Sequence, residues 1–334
     1  MLNELNFAYG MPKSTGQIKT IPEDFCVEEN LGFELTGNGE HLFLNIEKTQ
    51  LNTEEMAHIL AQRLGLPLKA ISYAGMKDKF AKTIQWFSLH LPGMPDPDLS
   101  WLNTENHRLL KSSRHNKKLK IGALKENHFI IKVCDFEYDE NELFARIEKI
   151  KLQGIPNYFG PQRFGHNSNN LQRARAILLE NKKMKDRHLR GIYYSAARSF
   201  IFNEIVSYRV GQGYWNRPLE GDLMMLVGSH SVFPVERVDE GIIQRIKEQD
   251  ISPTAPLWGK GKELVTDKAL SMQNEALIGL EEWCLALERH GLEKSYRPLI
   301  LFPEKLEFKD GVFKFTLPAG GYATMVLREL LIIP

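Results

Sequence analysis

The segment with the clearest chemical potential is Gly75-Met76-Lys77-Asp78-Lys79, which places one carboxylate in a glycine-bearing turn beside two cations. The turn follows a short predicted strand, so the carboxylate of Asp78 would stand at an exposed end of a sheet. A carboxylate held beside cations stays ionised and is available as a nucleophile or a base. The alternative is a capped turn whose aspartate bonds only its own backbone.

A second candidate is the pair Asn127 and Phe129, which are two positions apart and therefore share one face of a predicted strand. The amide could bond the edge of a nucleobase while the ring stacks on its face. The alternative for Phe129 is an ordinary core position.

Two glycine-rich segments could also line a site. Residues 156–165 interleave three aromatic rings with Gly, Pro and Arg163, which suits either a binding loop or a packed loop at a domain junction. Gly320-Gly321 precedes Tyr322, and paired glycines allow a backbone or a ligand to approach that ring closely. A plain tight turn is the alternative there.

The charge distribution points to a polyanionic partner, although 43 basic and 42 acidic residues leave a net charge of only +1. Residues 106–125 contain no acid, and a second basic cluster lies at 182–190 with one acid. A phosphate backbone could lie along such segments, and a solvated face is the alternative. Our candidates for RNA backbone contacts are Arg114, Lys117, Lys118, Lys120 and Arg163.

Other chemistries lack support in the sequence. There is no G-x-x-x-x-G-K-[ST], H-E-x-x-H or G-x-S-x-G motif, and the three cysteines stand far apart. Apolar runs end well before the roughly 20 residues of a membrane span, and no secretory signal is visible. We therefore expect no metal, no organic cofactor, no membrane contact and a cytoplasmic location.

The periodicity predicts strands in both end regions and helices between them. Strands are expected within 18–46 and at 70–74, 83–91, 119–124 and 129–136, and Asn52 with Glu55 predicts a capped helix that Gly65 ends. A helix is expected at 140–152, and helical patterns follow at 168–179, 193–210, 239–248 and 274–290. A hairpin at 306–317 and a last helix at 323–331 follow. The first and last parts of the chain should build one sheet, interrupted by an insertion.

The pentapeptide that contains Asp78 is followed by Ala81, Thr83, Gln85 and Trp86, and further blocks stand at 21–29, 122–129, 157–165, 195–199 and 317–330. Together these blocks, in this order, resemble the TruD family of tRNA pseudouridine synthases over nearly the whole chain. The resemblance implies an α+β fold: a pseudouridine-synthase-like catalytic domain with a curved, mainly antiparallel sheet flanked by helices, at 1–153 and 301–334. A largely helical α/β TRUD domain would be inserted at 154–300.

The resemblance also implies an activity, namely cofactor-free isomerisation of uridine to pseudouridine at position 13 in the D-arm of tRNA. Asp78 falls on the catalytic aspartate, and Lys19 on the basic residue that would keep it ionised and oriented. The positions of the uridine pocket fall on Phe25, Asn127, Phe129 and Tyr322, the last being phenylalanine in some members. The partner would be tRNA, and we expect a monomer. The alternative is a non-catalytic RNA-binding or tRNA-folding protein.

Overall fold

The structure is a computed structural model that describes residues 5–229 and 231–333. The strands are β1 (Thr15–Gln17), β2 (Phe25–Asn30), β3 (His41–Thr49), β4 (Ile71–Tyr73), β5 (Lys82–His90), β6 (His107–His115), β7 (Glu126–Lys132), β8 (Cys134–Glu137), β9 (Ile155–Pro156), β10 (Asp222–Leu226), β11 (Val232–Val235), β12 (Ile251–Leu257), β13 (Ser295–Pro298), β14 (Ile300–Leu301), β15 (Glu304–Lys309) and β16 (Val312–Pro318). The α-helices are α1 (Thr53–Leu64), α2 (Glu140–Gln153), α3 (Asn169–Leu178), α4 (Arg187–Gly211), α5 (Glu240–Lys247), α6 (Asp267–Ala276), α7 (Glu281–Arg289) and α8 (Ala323–Arg328).

The chain divides into two units. The sheet unit comprises Lys13–Glu140, Pro303–Gly321 and Leu331–Pro334, and the helix-rich unit comprises Met1–Pro12, Asn141–Phe302 and Tyr322–Leu330. The assignment of 1–153 with 301–334 as catalytic domain and of 154–300 as inserted domain stays a prediction, since compactness alone assigns no role. Among the described residues, no helix is long and apolar enough to cross a membrane.

An eight-stranded sheet forms the centre of the sheet unit. Its strand order is β15-β16-β7-β2-β5-β3-β6, with β4 paired to β5 outside this path. The pair β2–β5 is parallel, and the other pairs in the sheet are antiparallel. The predicted class, α+β with a mainly antiparallel sheet, is confirmed. The sheet contains strands from the first part of the chain together with β16 at 312–318, as the return of the β pattern near the end of the sequence predicted.

Successive side chains of β3 point to opposite faces of the sheet, and each face carries a hydrophobic core. Leu42, Leu44 and Ile46 pack against α1, whereas Phe43 faces a separate cluster around Trp86. The helix α1 begins where expected because the Asn52 side chain accepts from the Glu55 N–H and the Glu55 carboxylate accepts from the Asn52 N–H. It ends at Gly65, whose φ of 63° lies in the left-handed region.

Two predicted elements are wrong. Residues 119–124 form a loop: Leu119 and Leu124 are buried in the Trp86 cluster, whereas Ile121, which alternates with Leu119 as in a strand, is 83% exposed. The strand of this region is β6, at 107–115. The pattern at 274–290 is divided between α6 and α7, with Gly279 at a φ of 83° in the break.

The helix-rich unit is organised around the long helix α4, whose N-terminal N–H groups are capped by the Asp186 carboxylate. Its four-stranded sheet has the order β11-β10-β12-β13. A buried ion pair joins Arg209 of α4 to Asp222 of β10, with 2.6 Å between Nη1 and Oδ1. This pair fixes the helix to the sheet at a position where both side chains are out of water.

Candidate active site

The loop that carries Asp78 is anchored from two elements of the sheet unit. Gln85 of β5 donates from Nε2 to the Gly75 carbonyl at 2.8 Å. The Lys77 N–H donates to Oγ1 of Thr53, the first residue of α1, at 2.8 Å, and that hydroxyl donates to Gln85 Oε1 at 3.1 Å. These bonds hold the backbone on both sides of Met76. Asp78 follows Lys77 in this loop, which begins after the end of β4.

Lys19 meets Asp78 at this point. Its Nζ lies 2.6 Å from Asp78 Oδ2, with the two side chains 22% and 42% exposed. The same ammonium lies 4.3 Å from the centre of the Phe25 ring. Lys19 adopts a φ of 60°, a conformation that costs a non-glycine residue roughly 1–2 kcal/mol. The charge-assisted hydrogen bond therefore holds the carboxylate near Phe25, the first residue of β2.

A buried ion pair lies behind this loop. Lys77 Nζ is 2.8 Å from Glu29 Oε1, and the second Glu29 oxygen accepts from the Trp86 N–H at 2.8 Å. The Lys77 ammonium also donates to Asn127 Oδ1 at 2.7 Å. Burial raises the pKa of the Glu29 carboxyl, while the Lys77 ammonium and the Trp86 N–H act in the opposite direction. This network connects the Asp78 loop to the amide on β7.

A second lysine is buried in the same region. Lys48 of β3 is almost wholly buried and donates to the Leu51 carbonyl at 2.7 Å. Burial lowers the pKa of Lys48 to about 8, and the charge of Lys77 adds to the lowering while Glu29 opposes it. Of Lys48 and Lys77, only Lys77 has an ion pair with a carboxylate in the part of the chain that the structure describes.

The two predicted aromatic residues of the sheet unit contact each other. Phe25 of β2 and Phe129 of β7 meet edge to face, with ring centres 6.2 Å apart, and Phe129 stacks on Phe315 at 5.4 Å. Both rings are nearly buried, and Asn127 lies two positions from Phe129 on β7. The structure thus connects Asp78, Lys19, Phe25 and Phe129 by direct contacts in sequence, and Lys77 adds Asn127.

Two other predicted residues, Arg163 and Tyr322, belong to the helix-rich unit. Tyr322 immediately precedes α8 and packs its ring against Phe159, with centres 5.8 Å apart. The Arg163 guanidinium lies 5.2 Å from the centre of the same Phe159 ring. Gly160 makes this arrangement possible, because a Cβ there would lie 2.8 Å from Tyr322 Cδ1.

The basic candidates differ in their surroundings. The Arg114 guanidinium bonds Asp96 at 2.6 Å and three backbone carbonyls, so it holds neighbouring loops together. Lys117, Lys118 and Lys120 are exposed and have no ion pair within the described part of the chain.

The functional residues that sequence reasoning missed are the buried partners of the loop, namely Glu29, Lys77, Lys48, Thr53 and Gln85. One signal was available for Glu29, which continues the inward alternation of Phe25 and Val27 along β2. A charged residue at an inward strand position requires a buried partner. The structure holds no close group of three or more His, Cys, Asp or Glu side chains among residues 5–229 and 231–333.

A family sequence model matches this chain over nearly its whole length. The model described as tRNA pseudouridine synthase D (TruD) matches residues 1–185 and 182–330. The chain therefore belongs to the TruD family.

Individual relatives extend over the same length. A tRNA pseudouridine synthase D of Legionella pneumophila (strain Corby) is 48% identical over 328 residues, which cover 97% of this chain and 97% of the relative. That of Aeromonas hydrophila is 43% identical over 335 residues, covering 99% and 95%. A solved structure assigned to TruD, from Methanosarcina mazei, has a TM-score of 0.71 at 22% identity and covers 97% of this chain and 95% of that one. At that identity the likeness supports the fold alone.

Proposed function

We propose that this protein converts uridine to pseudouridine in tRNA, at position 13 of the D-arm, with Asp78 as the catalytic group. Family membership and relatives named tRNA pseudouridine synthase D support the reaction class. The observation that carries the residue assignment is the Lys19–Asp78 contact of 2.6 Å beside the Phe25 ring.

The target base must first leave the RNA stack, which costs a few kcal/mol, so the pocket has to offer compensating contacts. Phe25 and Phe129 provide apolar surface. The Asn127 amide has a defined orientation, because the Lys77 ammonium only donates and therefore requires Asn127 Oδ1 as its acceptor. The amide nitrogen is left to donate, and its partner would be a carbonyl oxygen of the uracil rather than N3–H.

An ionised Asp78 then starts the isomerisation by one of three routes. It attacks C1′ of the ribose, attacks C6 of the uracil, or removes a proton from the sugar. In each route the glycosidic C1′–N1 bond breaks, the retained uracil rotates, and C5 bonds to C1′. The bond that Asp78 formed to C1′ or C6 breaks again and frees the carboxylate, or the proton that Asp78 removed returns to the sugar. The C5 proton is then lost, to Asp78 or to water. The Lys19 ammonium, 2.6 Å from Asp78 Oδ2, directs the carboxylate.

Asp78→Asn tests the assignment because it keeps the shape of the side chain and removes its charge. With an unmodified tRNA transcript carrying 5-tritiated uridine, we expect tritium release to fall to background while tRNA binding is retained. Asp310→Asn is the matched control, since Asp310 is an exposed aspartate in the turn between β15 and β16. Turnover by Asp78→Asn would contradict the assignment, and unchanged RNA phenotypes in cells would favour the non-catalytic alternative.

The position is tested separately. A transcript in which uridine 13 is replaced by cytidine should release no tritium. Release from that transcript would show that another uridine is used, while leaving the isomerase activity itself in place.

A further inference from the structure

A cavity of about 690 Å³ lies in the sheet unit beside the segment 116–125, which we call the basic loop. Its lining includes Phe33, His115 and Lys117, together with Lys118 and Lys120. We propose that this cavity is a second nucleotide subsite, in which a base flanking the target uridine stacks on Phe33 and its phosphate lies on the basic loop. This inference rests on the proposed function, because the nucleotide belongs to the same tRNA.

Phe33 is built as a stacking platform. Its ring lies 5.2 Å from the His115 ring at an interplanar angle of 28°, and it meets Phe43 edge-on at 6.4 Å. His115 is itself fixed, since it is buried and its Nδ1 accepts from the Thr36 N–H at 3.3 Å. Phe33 nevertheless remains 42% exposed. His115 covers one face of the ring, and the proposed base stacks on the other face, where an ordered aromatic ring accepts any base.

The charge of the cavity fits a nucleic-acid backbone. Lys117, Lys118 and Lys120 are exposed and have no ion pair among the described residues, and the acid in the lining is Glu34. A neighbouring cavity of about 980 Å³ shares Lys118 and Lys120 and adds Lys69, with Glu54 as its acid. The basic loop therefore places positive charge between two cavities whose linings are largely apolar. This combination of cationic track and aromatic ring is characteristic of single-stranded RNA sites.

The basic loop is connected to the loop that carries Asp78. The Gly122 N–H donates to the Ala74 carbonyl at 2.7 Å, and Ala74 immediately precedes the Gly75–Asp78 turn. The Lys125 N–H donates to the Asn30 carbonyl at 3.0 Å, which ties the other end of the loop to β2. An RNA strand whose target uridine enters the site at Asp78 would therefore lie next to the basic loop.

The test compares substitutions of Phe33 in the full-length protein acting on an unmodified tRNA transcript. Phe33→Ala should raise KM for tRNA about tenfold, as expected for one lost base stack, with kcat within about twofold. Phe33→Trp should keep the wild-type KM, whereas Phe33→Leu, apolar but without a ring face, should behave as Phe33→Ala. Phe144→Ala is the control, because Phe144 is also 42% exposed but lies in the helix-rich unit. Unfolding midpoints confirm that each variant is folded.

Lys118→Gln tests the phosphate contact. It should weaken binding of the transcript and lower the slope of log Kd against log salt by about 0.7, the value for one single-strand phosphate contact. Exposed Lys309, the last residue of β15, provides the matched control Lys309→Gln.

The outcomes separate this inference from the proposed function. Wild-type KM and salt slope in both Phe33→Ala and Lys118→Gln would overturn the subsite while tritium release still supported the isomerase. A wild-type KM in Phe33→Leu would overturn stacking as the mode of binding. If the wild-type protein released no tritium, the proposed function would fail, and a fluorescein-labelled decauridylate would still report whether Phe33→Ala weakens RNA binding.

Discussion

Replacing Lys77 with methionine should both destabilise the sheet unit and impair uridine binding. The variant leaves Glu29, whose side chain is fully buried, without the ammonium 2.8 Å away, and it removes the donor that orients Asn127. Breaking a buried ion pair by removing one partner costs roughly 3–5 kcal/mol. The Trp86 N–H still bonds the carboxylate, so we expect a loss near the lower limit, about 3 kcal/mol in the free energy of unfolding.

The direction of the pH effect follows from Glu29. Burial raises its pKa in the folded protein, and removal of Lys77 raises it further. A carboxyl with a raised folded pKa stabilises the fold below its unfolded pKa and loses that contribution as the pH rises through the folded value. The deficit of Lys77→Met relative to wild type should therefore be larger at about pH 8 than at about pH 5.

Urea unfolding of the wild type, Lys77→Met, Glu29→Gln and the double variant measures the coupling directly. The double variant should regain about 1–2 kcal/mol relative to Lys77→Met, because its buried amide carries no charge. Its kcat/KM should stay low, since Asn127 still lacks its donor. A stability within about 0.5 kcal/mol of wild type, the usual range of surface substitutions, would refute the buried-pair argument. An unchanged kcat/KM would refute the role given to Asn127.

Three further substitutions test other features of the fold. The folded pKa of Lys48, about 8, lies below its ordinary 10.5, so the unfolded chain binds more protons between these values and the unfolding free energy should rise with pH across that window. In Lys48→Met the unfolding free energy should rise less with pH, by up to about 3 kcal/mol across this window, as measured by urea unfolding at a series of pH values. Gly160→Ala places a Cβ 2.6 Å from Gln162 Oε1 and 2.8 Å from Tyr322 Cδ1, and it should lower the unfolding free energy by about 1–3 kcal/mol. Gly191→Ala, in α4 with open space around it, should instead raise the thermal midpoint.

Local signals made much of the fold predictable. The helix α1 was predictable because Asn52, Glu55 and Gly65 act within a few residues of each other. The 306–317 hairpin was predictable for the same reason, through its Lys309-Asp310-Gly311 turn. Residues 119–124 misled because Leu119, Ile121 and Ala123 alternate with other residues as in a strand, although Ile121 is exposed in a loop.

The site was less accessible to sequence reasoning because its contacts join distant parts of the chain. Asp78 could be proposed as a candidate from its glycine-bearing turn, with a capped turn as the alternative, whereas the partnership with Lys19 came only from the family resemblance. The parallel pairing of β2 with β5 brings the two segments together, and no local pattern encodes that pairing. The contact of Lys77 with Glu29 depends on the same pairing, which is why neither residue was predicted as a partner.

The position of β16 has a consequence for the newly made chain. β7 pairs with β16 along its full length, and the whole segment Asn141–Phe302 is translated between the two strands. Until β16 emerges, β7 presents an open backbone edge and Phe129 lacks the Phe315 ring that supports it. A translation product that stalls before β16 would thus carry Asp78 on a sheet whose β7 lacks its partner strand, and that open edge could pair with another chain.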